Sequence, residues 1–116
     1  VPSLLELYQK LFDLTRREQI VIKENKYEGL GKILREKQET IYLIEQQGEA
    51  KNNIDREKIL DLMQQIKNLG DNNLESLREE IWVTGEKLEK LNLGWHTLQN
   101  YHNLFQKQPS IIDRRG

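Results

Sequence analysis

Apolar residues between Leu74 and Phe105 recur in alternating steps of three and four: Leu74, Leu77, Ile81, Leu88, Leu91, Trp95, Leu98 and Phe105. Thr84 and His102 fill the two remaining slots. This spacing keeps every one of these side chains on one side of an α-helix. It predicts a single helix over 73–106, whose seam from Leu74 to Phe105 is about 48 Å long. Upstream, Ser3-Leu4-Leu5-Glu6 has the form of a capping box, in which the Ser hydroxyl and the Glu carboxylate satisfy free backbone N–H groups reciprocally. Leu4, Leu7, Leu11, Leu14 and Val21 follow at helical spacing, and Leu5, Tyr8, Phe12 and Ile22 widen the stripe. A first helix is expected over 3–24.

Asn25 and Lys26 interrupt the pattern, with Asn25 suited to cap the next element. Tyr27, Leu30, Leu34, Ile41 and Ile44 mark a second helix over 27–47. Gly29 and Gly31 weaken its start, so the first two helices form either a hairpin or one bent rod. Gly48 to Asn53 reads as a loop. Ile59, Met63, Ile66 and Leu69 share a face of a third helix over 54–69. Gly70 is expected as the glycine that ends it, followed by a new cap at Asn72 with Glu75. Pro109 closes the last helix, and 107–116 reads as a flexible tail.

The fold class is therefore all-α: one domain over 1–116, an antiparallel bundle of three to four helices, coiled-coil-like, with a long C-terminal helix. That helix outruns its neighbours by about ten residues at the usual helical rise. It also carries a second line, Trp82, Leu93 and Leu104, eleven residues apart and opposite the main seam. Two uses fit this second face: burial between two neighbouring helices, or docking of another protein.

Composition narrows the function classes. Eighteen Lys and Arg nearly balance nineteen Asp and Glu, and neither sign clusters. A nucleic-acid surface or a basic membrane-binding helix needs concentrated positive charge, so neither is expected. With no cysteine, disulfides and thiolate metal sites are excluded. No apolar run reaches the roughly 18 residues of a membrane span, and Val1-Pro2-Ser3 does not read as a signal peptide.

Catalytic chemistry finds little support. His96, in Trp95-His96-Thr97-Leu98-Gln99-Asn100, resembles the His-x-Leu-Lys-Gly signature of histidine phosphotransfer domains. Gln99 and Asn100 stand where that signature has the Lys that steadies the phosphate and the Gly that admits the receiver. His96 and His102 are six apart and do not share a helix face, which makes them a poor metal pair. The carboxylates read as a solvated face, with none in a context that would raise its pKa. No catalytic, cofactor-binding or metal residue is assigned, and the chain is not expected to be an enzyme.

Several stretches together resemble the FlgN-type flagellar export chaperones. They are Leu4-Leu5-Glu6-Leu7-Tyr8-Gln9-Lys10-Leu11 followed by Glu18 and Ile20, then the interrupted Glu24-Asn25-Lys26-Tyr27-Glu28-Gly29-Leu30. Glu36-Lys37-Gln38-Glu39 matches a Lys-centred segment of that family, and Leu91-Asn92 lies in its long last helix. Ile112-Asp113-Arg114-Arg115-Gly116 resembles its ending, with Ile112 where Tyr is usual and Trp95 where Asn often recurs. The resemblance implies a cytoplasmic helical chaperone without cofactors. Its partners would be the amphipathic terminal helix of hook-associated (hook–filament junction) proteins and the type III flagellar export apparatus. It places client contacts on the last helix, at Leu93, Trp95, Leu98, Tyr101, Leu104 and Phe105. The alternatives are a self-associating structural bundle, including a homodimer through the main seam, and phosphotransfer through His96.

Overall fold

A computed structural model of the chain describes residues 2–48, 53–84, 95–100, 102 and 103, with the side chains of 53 and 81–84 left aside. Every long element is helical. Helix α1 is Leu4–Lys23, α2 is Leu30–Gln47 and α3 is Asn53–Thr84. A 3₁₀ turn, Tyr27–Gly29, leads into α2, and residues 95–100, 102 and 103 form a further helical segment. No strand occurs among the described residues.

The ends of α1 follow from local chemistry. Glu6 N–H donates to the Ser3 hydroxyl at 3.1 Å and Ser3 N–H donates to the Glu6 carboxylate at 2.9 Å, which completes the capping box. At the other end Asn25 takes φ 56°, the left-handed conformation that ends many helices. Lys26 N–H then reaches back to Val21 O and Asn25 N–H to Ile22 O, a Schellman pattern. Asn25 thus closes α1 instead of opening α2, and its side chain accepts from the Tyr27 hydroxyl at 2.8 Å. The chain reverses here, so α1 and α2 form a hairpin, and the Gln47 side-chain amide donates to the Pro2 carbonyl at its open end. Gly48, at φ 77°, ends α2.

Helix α1 packs against both α2 and α3. Leu4, Leu7, Tyr8 and Leu11 meet Ile41 and Ile44 of α2 and Ile59, Met63 and Ile66 of α3 in one apolar cluster. At the far end Ile22, Leu30, Leu34 and Leu77 form a second cluster, joined by Leu98. The matching order of residues makes α1 and α3 parallel and α2 antiparallel to both. The long dimension, 48 Å, is the length expected of α3, since 32 residues at the helical rise give about 48 Å.

Two expectations about the second half of the chain are overturned. The helices expected over 54–69 and 73–106 are not separated at Gly70; α3 runs unbroken through Gly70, Asp71 and Asn72. The second correction concerns direction. A straight helix over 73–106 would put His102 about 46 Å from Asp71, yet His102 Nε2 lies 2.5 Å from Asp71 Oδ1. Residues 95–100, 102 and 103 therefore run back antiparallel beside α3. The long helix among the described residues is α3.

The glycine that reads as a helix terminator serves this return. A Cβ at residue 70 would come within 2.8 Å of His102 Nδ1, so the missing side chain lets the imidazole lie against α3. Glycine in a helix interior costs about 1 kcal/mol relative to alanine, and the His102 contact offsets it. Gly70→Ala should lower stability by about 1–3 kcal/mol in the wild-type chain through overpacking. In a His102→Ala background the same change should raise stability by about 0.5–1 kcal/mol through helix propensity. Urea denaturation of the four variants measures this reversal of sign, and a Gly70→Ala effect of equal sign in both backgrounds would exclude the contact.

Candidate functional site

Between the two apolar clusters lies a layer of buried polar groups. Thr15 and Glu18 come from α1, Lys37 and Thr40 from α2, and Asn73 from α3; Glu18 is 0 % exposed and Lys37 6 %. Each interrupts an apolar stripe where a hydrophobic residue is due. Glu18 falls four residues after Leu14 and four before Ile22. Lys37 stands between Leu34 and Ile41, and Asn73 between Ile66 and Leu77. Helical geometry then aims all three side chains at one level of the bundle.

Lys37 Nζ donates to Glu18 Oε1 at 3.1 Å. It also lies 3.0 Å from Oε2, at an angle that leaves Oε2 in the ion pair without a hydrogen bond of its own. Asn73 Nδ2 donates to Glu18 Oε1 at 3.2 Å and to the Thr15 carbonyl at 2.9 Å. Thr15 and Thr40 direct their hydroxyls to Leu11 O and Glu36 O, one turn back on their own helices. Burial pushes the Glu18 carboxyl above its ordinary value of 4.5, against the opposing pull of Lys37, Asn73 and His102. The expectation that no carboxylate has a raised pKa is thus overturned. Glu18 escapes a reading based on acidic pairs, because its partners lie 19 and 55 residues away. The gaps in the three stripes are the signal that marks them.

The residues expected to contact a partner are distributed unevenly. Leu98 is 1 % exposed and belongs to the second core cluster, so the chain's own core already takes it up. Trp95 is half-buried against the same cluster. Leu93, Tyr101, Leu104 and Phe105 lie outside the described residues. His102, expected as a spacer in the seam, is buried and pairs with Asp71. His96 is exposed. Among the described residues no three His, Asp or Glu side chains gather as metal ligands, and no helix is long and apolar enough to cross a membrane.

What this arrangement does physically is hold three helices in one register. A buried ion pair contributes little net stability, but losing one partner strands the other charge. No protein-family model, curated protein or solved structure matches the chain.

Two outcomes follow from the polar layer. Lys37→Ala should cost about 3–5 kcal/mol by leaving Glu18 buried without its cation, whereas Glu18→Leu with Lys37→Met should be neutral or stabilising by about 1–4 kcal/mol. Chemical denaturation compares them, and a double variant as unstable as Lys37→Ala would contradict the account. The pH dependence has a definite sign. A carboxyl whose folded pKa is raised binds its proton more tightly when folded, so its contribution is fully present below 4.5 and falls as pH rises towards the raised value. Subtracting the denaturation midpoints of Glu18→Gln from those of the wild type, from pH 4 upward, should isolate this falling limb. A flat or rising difference would contradict burial as the dominant cause.

Proposed function

We propose that this chain is a FlgN-type export chaperone, working in the cytoplasm by binding and without catalysis. It would hold the amphipathic terminal helix of a hook–filament junction protein, keep that helix from assembling prematurely, and present it to the type III flagellar export apparatus. The observation that carries the reading is the meeting of Glu18 and Lys37. Both belong to the short stretches that resemble the family, they lie 19 residues apart, and they pair in the buried layer.

The client surface proposed on the last stretch needs one revision. Leu98 and His102 are turned to the core; on a continued helix, Leu93 and Leu104 would fall on the opposite side, at a spacing of three turns. Docking is therefore assigned to Leu93 and Leu104, flanked by Tyr101. An amphipathic client helix presents anchors at such spacings to an apolar face. Exposed polar residues of the same segment, His96, Asn100 and Asn103, would form the rim.

Calorimetric titration with the terminal segment of a junction protein should give saturable one-to-one binding. Leu93→Asp with Leu104→Asp should weaken it at least about tenfold, the loss of about 1.4 kcal/mol or more, while helix content by circular dichroism is unchanged. Leu98→Asp is unsuitable as a test because it would put a charge in the core. No binding by the folded wild-type chain, or full binding by the double variant, would reject the proposal.

A further inference from the structure

We infer that the outer face of α2, from Glu36 to Gln47, docks a basic amphipathic helix of a partner protein. The inference goes beyond the chaperone reading and does not depend on it, since the surface lies on α2 and not on the last stretch. Its starting point is a pair of apolar side chains. Among the described residues Ile20, Tyr42, Leu43 and Ile54 are large apolar side chains that stand exposed. Ile20 and Ile54 are single, as scattered surface residues commonly are. Tyr42 and Leu43 are adjacent on one helix, 60 % and 42 % exposed. The residues on either side of them, Ile41 and Ile44, are buried, so the core of the bundle takes up their neighbours and leaves this pair outside.

The charges around the pair are of one sign. From Glu36 to Gly48 the charged residues of the chain are Glu36, Lys37, Glu39 and Glu45. Lys37, the one cation, is turned inward to the Glu18 carboxylate. Glu39 and Glu45 are exposed, one turn before and one turn after Tyr42 on the same face. Among the described residues neither is in an ion pair. Arg35, two turns before Tyr42, marks where the acidic stretch begins. The end of the helix adds to it. Helix α2 has no basic residue in its last turn, whereas α1 has Lys23 there. No side-chain cation in that turn therefore offsets the partial negative charge of the last carbonyls of α2. The positive pole of α1, at the same end of the bundle, is already taken up by Glu6 in the capping box.

An apolar pair framed by carboxylates selects its partner by charge as well as by shape. Nucleic acid and anionic membrane surfaces are repelled. A second copy docked through the same face would set Glu39 and Glu45 against their own counterparts, which disfavours it. A helix with Lys or Arg at i and i+7 and apolar residues at i+3 and i+4 fits. Its apolar pair lies against Tyr42 and Leu43. Its cations fall about 10 Å apart, close to the roughly 9 Å that the helical rise puts between Glu39 and Glu45. Flanking ion pairs on an apolar seam set partner choice between helices in this way. The exposed ring of Tyr42 offers a cation a further contact over its face.

Fluorescence anisotropy of a labelled peptide made of three Lys-Ala-Ala-Leu-Leu-Ala-Ala repeats, titrated with the full chain, tests this. The wild type should bind it at least about tenfold more tightly than the peptide with Glu in place of every Lys. Glu39→Gln with Glu45→Gln should weaken binding at least about tenfold and flatten its dependence on salt. Tyr42→Ser with Leu43→Ser should weaken it as much, with helix content and melting midpoint unchanged. Leu93→Asp with Leu104→Asp should bind the peptide as the wild type does, which separates this surface from the client contacts proposed above. Equal affinity for the basic and acidic peptides, no binding by the folded wild type, or wild-type binding by either α2 variant would overturn the inference. So would a wild-type dimer in light scattering that Tyr42→Ser/Leu43→Ser converts to monomer, because the face would then belong to a second copy.

Discussion

The pairing of Glu18 with Lys37 inside the bundle is the constraint to which the other features adjust. An apolar layer tolerates a helix sliding by a turn, because one leucine replaces another at small cost. A buried carboxylate does not tolerate it, since a slip leaves the charge without its cation in a medium that cannot solvate it. Asn73 brings α3 into the same arrangement by donating both to that carboxylate and to the Thr15 carbonyl. Three helices thus share one level, and the apolar clusters on either side of it fill in around a register already chosen.

The return of residues 95–103 builds on this level. Gly70 lies three residues before Asn73 on α3, close to one helical turn, so the bare face that receives His102 adjoins the polar layer. His102 contributes to the electrostatics of Glu18 as well as pairing with Asp71. Lys37 of α2 and Asn73 of α3 thus touch the carboxylate, and His102 of the returning segment acts on it electrostatically. This explains why the polar positions concentrate in one slice of the molecule while Leu98 is free to join the apolar cluster above it.

Much of the fold is legible from local chemistry. Ser3 with Glu6 marks the start of α1, the stripes of Leu and Ile mark the core faces, and Gly48 marks the end of α2. What misleads is a residue whose local preference serves a distant partner. Gly70 and the asparagines after it have the composition of a turn, yet α3 continues through them because Gly70 receives His102 and Asn73 reaches Glu18 and Thr15. Asn25 is correctly read as a cap but assigned to the wrong helix, since a left-handed asparagine closes α1 as readily as an Asn side chain opens α2. Of the candidate partner residues, Leu98 is taken up by the core because the periodicity that singles it out is the same one that buries residues.

Periodicity along one helix carries no information about direction. Alternating steps of three and four look the same read forwards or backwards, so a seam of this kind is compatible with one straight rod, with a hairpin, and with two rods lying antiparallel. A breaker normally decides among these, and here the stretch 85–94 offers only residues that weaken a helix without ending it. The decision falls instead to a tertiary contact, the imidazole of His102 on the backbone of Gly70. That contact fixes which residues of α3 and the returning segment face each other. A single close approach thus sets the pairing that the periodicity leaves open.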